Sequence, residues 1–198
     1  MHIIVIGPSC SGKTTILTLL REAGHTVYLE PENEIFPQFL TDPKGHAFAS
    51  QENLMKKLIE QEVVSQADDQ TQYFESGVIA TEVYNRYLHD KGLLTDEEFH
   101  VLDALYEEHI KNRSAPDLVV FLSATPDQLK ERAVSRDGTV AMDPDELRIY
   151  WDNLLQGLQQ KGIGVLRLNT GFYAPPDAMR MLLQEVDVQR NKDTVVTV

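Results

Sequence analysis

An eight-residue segment near the start of the chain limits the folds that this sequence can adopt. Residues 7–14 read Gly-Pro-Ser-Cys-Ser-Gly-Lys-Thr, which matches the pattern G-x-x-x-x-G-K-[ST]. The apolar run 2–6 precedes the segment, and a helical pattern follows it from Thr14 to Ala23. A strand, a glycine-containing turn and a helix in this order form the context in which the pattern makes a phosphate-binding loop. The sequence therefore predicts a P-loop that binds a nucleoside triphosphate.

The spacing of the motif suits phosphate chemistry. Gly7 and Gly12 let the backbone turn sharply, so that successive N–H groups converge at a helix N-terminus, where the helix dipole favours negative charge. Lys13 brings a positive charge to the β- and γ-phosphates, and the Thr14 hydroxyl is placed to hold Mg²⁺. We expect a nucleoside triphosphate and Mg²⁺ to be bound by residues of this loop, which does not choose between ATP and GTP; the residues are Gly7, Ser9, Cys10, Ser11, Gly12, Lys13, Thr14 and Thr15.

Composition places this loop in one globular domain. The chain has 198 residues, of which 42% are hydrophobic, enough to bury a core without disulfides or metals. Its 18 basic and 31 acidic side chains give a net charge of −13, which argues against duplex nucleic acid as a partner. We expect no membrane span, because no apolar run approaches about 20 residues. The only cysteine is Cys10 and a strand is expected from residue 2, so we expect a cytoplasmic protein without a signal peptide.

Short apolar runs alternate with helical patterns along the chain. We predict strands at 2–6, 25–29, 71–74, 118–122 and 165–168, and helices near 13–23, 46–67, 77–91, 95–112, 126–137, 144–161 and 175–186. This alternation predicts the α/β class, a three-layer P-loop NTPase fold with a five-stranded parallel sheet. The segment 32–45, with several prolines, is predicted to be irregular. One domain is expected over 1–190, followed by a tail at 191–198 whose end, 195–198, could add an edge strand.

Two glutamates stand at the ends of predicted strands. Glu30 ends the second strand and Glu75 the third, so both should face the γ-phosphate and Mg²⁺ at the carboxyl edge of the sheet. Two carboxylates there can divide the work, one polarising an acceptor hydroxyl and one holding the metal and its water. We predict that Thr14 and Glu75 are the residues that hold the metal. Each glutamate alone would also be typical of a solvated strand end.

Several segments follow the P-loop in a set order. They are Glu30-Pro31, Phe48-Ala49-Ser50-Gln51, Glu75, Pro116-Asp117-Leu118-Val119-Val120-Phe121-Leu122 and Arg132-x-x-x-Arg136. In order and spacing, residues 2 to about 160 resemble the deoxynucleoside kinase family. The resemblance implies ATP as the phosphoryl donor and a nucleoside-like acceptor. It also implies that Glu30 is the general base toward the acceptor hydroxyl and that Gln51 hydrogen-bonds a nucleobase edge.

The resemblance also implies a lid, at about 132–143, whose Arg132 and Arg136 close over the transferring phosphoryl group. Four residues apart, these arginines share one helix face, and their guanidinium groups could neutralise charge on the phosphoryl oxygens. A solvated helix face with Glu131 and Asp137 as ion-pair partners is an equal alternative. With Lys13 and Glu30 the two arginines form the predicted catalytic set. The predicted substrate-binding residues are Glu30, Phe48, Gln51, Glu75 and Tyr84.

One departure from the family concerns the triplet D/E-Arg-Ser, which here reads Glu75-Ser76-Gly77. In the family that arginine contacts the 5′ oxygen of the acceptor, and in relatives that act on nucleotides it grips a phosphate. Ser76 cannot neutralise a phosphate, which makes a monophosphate acceptor unfavourable. A non-nucleoside alcohol as acceptor and a slowly hydrolysing nucleotide switch both stay open. The helices at 77–91 and 95–112 would allow a homodimer face, as helices at this place do in the family.

Overall fold

The sheet is built from five parallel strands. The computed structural model describes residues 1–65 and 70–195. In this part of the chain the strands, numbered β1 to β5, lie side by side in the order β2-β3-β1-β4-β5, and every neighbouring pair is parallel. The predicted α/β fold with a five-stranded parallel sheet is confirmed. The strands are β1 (His2–Ile6), β2 (Thr26–Tyr28), β3 (Gln72–Glu75), β4 (Leu118–Ser123) and β5 (Gly164–Asn169).

Helices connect the strands and cover both faces of the sheet. Within the described ranges they are α1 (Lys13–Glu22), α2 (Phe36–Thr41), α3 (Pro43–Val64), α4 (Gly77–Asp90), α5 (Asp96–Lys111), α6 (Pro126–Asp137), α7 (Pro144–Gln160) and α8 (Pro175–Val195). None of them is long and apolar enough to cross a bilayer. Two helices begin with reciprocal capping boxes, Thr95 with Glu98 at α5 and Thr125 with Gln128 at α6, each of which satisfies two N–H groups of the first turn.

The central strand β1 divides the core into two layers. Successive strand residues point to opposite faces, so Ile4 and Ile6 pack with α3, α4, α5 and α7, whereas Ile3 and Val5 pack with α1 and α8. Residues 3–6 are all at most 1% exposed. A strand that is covered on both faces needs this unbroken apolar run. The sheet is therefore fixed at its centre, and the loops at its carboxyl edge start from a rigid base.

The segment predicted to be irregular is partly helical. It holds α2, and α3 begins at Pro43 instead of residue 46. The prolines look like helix breakers in the sequence, yet Pro37 and Pro43 occupy first-turn positions, where the missing N–H costs nothing. Asp42 caps α3 by accepting a hydrogen bond from the Gly45 N–H.

The end of the chain also differs from the prediction. Helix α8 continues past residue 186 as far as Val195, so residues 191–195 extend a helix instead of forming a separate tail. Val195 therefore does not begin an edge strand, and the rest of the predicted strand, 196–198, lies outside the described residues.

Candidate active site

A cleft of about 870 Å³ opens at the carboxyl edge of the sheet. It lies where β1 is flanked by β3 on one side and β4 on the other, the place in an open α/β sheet where ligands bind. Its walls come from the P-loop, from the segments after β2, β3 and β5, and from parts of α3, α4 and α6. Ligand pockets commonly measure about 300–1,000 Å³. The fold thus gathers distant parts of the sequence around a space of ligand size.

The P-loop requires its two glycines for different reasons. Gly7 has a φ of 144°, and a Cβ there would stand 2.1 Å from the carbonyl oxygen of Leu122 in β4. Gly12 has a φ of 91° and stands immediately before the first residue of α1. Only glycine adopts such dihedrals at no steric cost. Between them Cys10 also takes a positive φ, of 63°, so the loop wraps tightly around the N-terminus of α1.

Lys13 begins α1 and lies at the cleft. Its Nζ donates to the carbonyl oxygens of Gly7 and Pro8, at 3.0 and 3.2 Å. Ser11 is fully buried, and its hydroxyl has no hydrogen-bond partner among the described residues. The loop therefore presents an ammonium group and a helix N-terminus on the same side, which is the arrangement that binds phosphates.

The two strand-end glutamates share one hydrogen-bonded chain with the P-loop. The Thr14 hydroxyl donates to Glu75 Oε1 over 2.5 Å, and the Glu30 N–H donates to Glu75 Oε2 over 3.2 Å. Glu75 is only 5% exposed, whereas Glu30 is exposed at the cleft. The structure thus brings together Thr14, Glu30 and Glu75, which the sequence assigned to the metal and the acceptor. The two glutamates differ in exposure: the Glu75 carboxylate is buried and hydrogen-bonded, whereas the Glu30 residue is exposed at the cleft.

Ser76 stands where the family has arginine. Its hydroxyl donates to Glu30 Oε2, and the residue has the unusual backbone dihedrals φ 69° and ψ −60°. Two arginines after β3 are not placed to supply a cation in its stead: Arg86 is exposed and pairs with Glu82 on α4, and neither Arg86 nor Arg113 lines the cleft. The turn after β3 therefore presents a hydroxyl to Glu30.

The predicted lid arginines both reach back to the P-loop from α6. Arg132 donates to the Cys10 carbonyl oxygen over 3.2 Å and, through both terminal nitrogens, to Thr170. Arg136 donates to the Ser9 hydroxyl over 2.9 Å and forms a two-pronged pair with Asp137. The hydrogen bonds to Asp137 raise the pKa of Arg136 above its usual range. Both guanidinium groups thus lie beside the loop, and Arg136 also forms the ion pair with Asp137 that the alternative of a solvated helix face predicts.

The opposite wall of the cleft is less polar. Gln51 on α3 is 5% exposed, and its side-chain oxygen has no hydrogen-bond partner among the described residues. Tyr84 also lines the cleft, and burial, helped by the nearby Glu30 carboxylate, raises the pKa of its hydroxyl above the usual range. Phe48, a predicted stacking residue, is not among the lining residues and packs against the core, whereas Phe36 lines the cleft. Phe48 and Gln51 are three residues apart and lie toward the same side of α3, but the Phe48 ring packs against the core cluster instead of lining the cleft.

Thr170 is a site residue that sequence reasoning missed. Its hydroxyl oxygen lies 2.9 Å from the carbonyl oxygen of Ser11 and 3.1 Å from that of Ser123, so that the hydroxyl can donate to either. The same oxygen accepts a hydrogen bond from Arg132. Thr170 therefore links the P-loop, the end of β4 and α6 through hydrogen bonds. The available signal was its position directly after β5, since loops at the carboxyl edge of parallel strands build the sites of such folds.

Comparison with known families identifies the type of enzyme. The family model described as deoxynucleoside kinase matches residues 3–157, more than half of the chain. The chain belongs to the deoxynucleoside kinase family. A deoxyadenosine kinase of Dictyostelium discoideum is 25% identical, in an alignment that covers 92% of this chain and 78% of the relative.

Solved structures confirm the fold. A deoxyadenosine kinase from M. mycoides with the products dCMP and a flexible dCDP superimposes with a TM-score of 0.77, and covers 95% of this chain and 100% of that one. The same kinase with bound dATP gives 0.75 over 94% of this chain and 99% of that one. Both are 15% identical to this chain. Family membership makes the protein a P-loop kinase, a phosphotransferase that acts on nucleosides, and sets aside the nucleotide switch and the non-nucleoside alcohol.

Proposed function

We propose that this deoxynucleoside kinase transfers the γ-phosphoryl group of ATP to the 5′-hydroxyl of a deoxynucleoside, with Mg²⁺ as cofactor. The observation that carries the proposal is the hydrogen-bonded chain from Thr14 through Glu75 to Glu30. It joins a phosphate-binding loop to an open carboxylate within one cleft. A donor phosphate on the loop and an acceptor hydroxyl at Glu30 would therefore meet in this cleft.

The donor triphosphate would lie on the P-loop. Lys13 and the N-terminus of α1 supply positive charge, and Arg132 and Arg136 border the same loop. Because the phosphoryl group carries its charge on three oxygens during transfer, catalysis depends on cations that are already in position. In this proposal Lys13, Arg132 and Arg136 hold that charge.

The residues beside the loop fit Mg²⁺. The ion prefers oxygen ligands and usually keeps several waters while it bridges substrate phosphates to one or two protein groups. Thr14 Oγ1 and Glu75 Oε1 lie 2.5 Å apart at the base of the loop. We propose that Thr14 would hold the ion directly and that Glu75 would hold its water shell. The metal, when bound, neutralises the phosphate oxygens.

Glu30 would act on the acceptor. Its exposed carboxylate would accept the proton of the 5′-hydroxyl as that oxygen bonds to the γ-phosphorus, while the bond from phosphorus to the bridging oxygen breaks and ADP leaves. A positioned carboxylate contributes about 10²- to 10⁴-fold in such a step. The products are ADP, a nucleoside monophosphate and one proton, which Glu30 would release to solvent, so that atoms and charges balance.

The base of the acceptor would lie against Gln51, with deoxyadenosine as the first choice. The relatives named above are deoxyadenosine kinases. A glutamine amide can pair with adenine through two hydrogen bonds, accepting from N6 and donating to a ring nitrogen. The unpartnered oxygen of Gln51 would gain such a bond from an amino-bearing base. Phe36 and Tyr84 supply aromatic surface in the same cleft.

A panel of nucleosides tests the proposal. ADP release is followed with ATP and Mg²⁺ and with each of deoxyadenosine, deoxycytidine, deoxyguanosine, thymidine and adenosine, and the product is identified by mass spectrometry. We expect deoxyadenosine to stimulate ADP release most, and a 5′-monophosphate to appear. The Lys13→Ala variant serves as the background control. Tight nucleotide binding with no acceptor-dependent ADP release would contradict the proposal.

Three expectations from the sequence stay predictions. They are a homodimer through α4 and α5, a cytoplasmic location and the lack of a nucleic-acid or membrane partner. Light scattering of the purified protein tests the first of them.

A further inference from the structure

The turn between β3 and α4 is strained at the residue that contacts Glu30. Ser76 has φ 69° and ψ −60°, and Gly77 follows with φ 60°. Residues with a Cβ rarely adopt a positive φ, and such strain persists only where the surrounding structure enforces it. Ser76 is also 7% exposed. The turn therefore holds a buried serine in an unfavourable conformation directly after Glu75.

This conformation aims the Ser76 hydroxyl at the Glu30 carboxylate. Ser76 Oγ donates to Glu30 Oε2, and the neighbouring Glu75 accepts from the Glu30 N–H. Glu30 lies beyond the end of β2, in a segment that is otherwise free of the sheet. Two adjacent residues of one turn thus fix both the backbone and the side chain of Glu30. The hydroxyl donates without adding a positive charge, so the carboxylate keeps its net negative charge.

A buried ionic cluster holds the turn from the side away from the cleft. Glu62 of α3 has a side chain that is 2% exposed, and its Oε1 accepts from the Val78 N–H over 2.8 Å. Its Oε2 contacts His109 Nε2 at 2.6 Å and the Arg113 guanidinium. Burial lowers the pKa of His109 and lowers that of Arg113 to about 10. The Glu62 carboxylate and the Arg113 guanidinium are thus the ion pair at the centre of the cluster.

The cluster and the turn fit each other closely. A Cβ on Gly77 would stand 2.9 Å from Glu62 Oε1 and 3.0 Å from a methyl group of Ile4. Glu62 is therefore in contact with the backbone of the turn at two successive residues, Gly77 and Val78. Breaking a buried ion pair by removing one partner is costly, because it leaves an unpaired charge in the interior. This contact gives a physical reason for the strain at Ser76 to persist.

We propose that Ser76 is a positioning residue, whose hydroxyl holds the Glu30 carboxylate toward the acceptor, and that Glu62 maintains the turn that presents it. The inference rests on the proposed role of Glu30 as general base. Neither Ser76 nor Glu62 contacts the P-loop through a hydrogen bond that the structure records, so their effect should be confined to the acceptor step.

Two substitutions at one position separate the hydroxyl from the backbone strain. Ser76→Gly removes the hydroxyl and suits the positive φ, whereas Ser76→Ala removes the hydroxyl and keeps the strain. We expect kcat to fall about ten- to hundredfold in both, the range for losing a hydrogen bond to a charged group, with the KM for ATP unchanged. Thermal unfolding should show Ser76→Gly to be at least as stable as the parent, so that activity and stability move in opposite directions.

Other outcomes would overturn the inference. A Ser76→Gly protein with kcat within about twofold of the parent removes the hydroxyl from the mechanism. A loss of kcat in Ser76→Ala alone would assign the residue to backbone geometry. A parent that is inactive on every nucleoside overturns the proposed function and this inference together, whereas an active parent with an unaffected Ser76→Gly variant overturns the inference alone.

A double-mutant cycle tests the part of Glu62. Glu62→Gln keeps an oxygen to accept from the Val78 N–H but removes the charge that faces Arg113. We expect Glu62→Gln to lower kcat in the parent background. In the Ser76→Gly background it should lower kcat by less than about threefold further, because both changes act through the same contact. If the decrease in kcat of the double variant equals the product of the decreases in the two single variants, the role given to Glu62 is overturned.

Discussion

The two ends of the cleft are built in different ways. The donor end, residues 7–15 with Arg132 and Arg136, is mostly one contiguous segment, and it carries three cationic side chains. The acceptor end, Glu30, Gln51, Glu75 and Ser76, comes from three separate parts of the chain and carries two carboxylates and no cation. A phosphate needs positive charge and backbone N–H groups, whereas a hydroxyl acceptor needs a base. The charge difference follows from the chemistry that each end would perform.

The two ends also differ in how they are held. Backbone geometry shapes the donor end: Gly7 approaches β4 too closely for a side chain, and Gly12 starts α1. Side-chain hydrogen bonds shape the acceptor end, where Thr14, Ser76 and the Glu30 N–H all bond to the two carboxylates. Substitutions at the donor end should therefore change both ATP binding and turnover, whereas substitutions at the acceptor end should lower turnover and leave ATP binding unchanged. The predictions below test this division, from the largest effect to the smallest.

The largest effect is expected at Lys13. Lys13→Ala removes the ammonium from the P-loop, and we expect turnover to fall about 10³- to 10⁵-fold, the range for losing a cation that stabilises phosphoryl transfer. Lys91→Ala, which removes an exposed lysine paired with Glu146, is the matched control and should change nothing. ATP affinity is measured by calorimetry beside the steady-state kinetics. A Lys13→Ala protein with intact ATP binding and intact turnover would contradict the assignment of the donor end.

Glu30 should give the next largest effect, and of a different kind. Glu30→Gln keeps the shape of the side chain but removes the base, so we expect kcat to fall about 10²- to 10⁴-fold while the affinity for ATP stays the same. Glu32→Gln, two residues later in the same cleft wall, is the control for a general loss of negative charge. Equal activity in Glu30→Gln and the parent would remove Glu30 from the mechanism.

The contrast between the two ends also explains how much the sequence could predict. The apolar strands, the alternation with helices and the P-loop depend on neighbouring residues, so the five-stranded parallel sheet followed from pattern alone. Glu30 and Glu75 could be placed at one edge because parallel strands share their carboxyl end. Helix α2 was missed because Pro37 and Pro43 interrupt the pattern, although first-turn positions tolerate both.

The contacts between distant elements could not be predicted. The bond from Ser76 to Glu30 depends on a strained turn that no propensity describes, and Thr170 reaches the P-loop from 159 residues away. Phe48 was expected in the cleft together with Gln51, but how far each side chain of α3 reaches into the cleft depends on how the helix packs against its neighbours. Such details depend on packing rather than on local sequence.

The two arginines of the predicted lid belong to the donor end and should give an intermediate effect. Arg136 is exposed and bonds to the Ser9 hydroxyl at the donor end. We expect Arg136→Gln to lower kcat about 10- to 100-fold, as for a lost charge-assisted hydrogen bond, with no change in thermal stability. Arg148→Gln, on α7 and outside the cleft, serves as the control. A drop in stability without a drop in kcat would favour a structural helix face over a lid.

The smallest effect is expected at Gln51, where a substitution should change the choice of base more than the rate. Gln51 lies at the acceptor end with a buried side-chain oxygen that has no partner among the described residues, and a bound base could satisfy this acceptor. Gln51→Met has a similar volume and removes both hydrogen-bonding groups. We expect the preference for deoxyadenosine over thymidine, measured as a ratio of kcat/KM values, to fall about 5- to 30-fold, the equivalent of about 1–2 kcal/mol of base discrimination.

Gln51→Glu is the sharper variant, because it keeps an acceptor for the N6 amino group and loses the donor to the ring nitrogen. It should therefore retain part of the preference that Gln51→Met loses. An unchanged ratio in both variants would mean that the base is selected elsewhere in the cleft, for instance by the shape of the wall formed by Leu54, Leu58 and Phe36.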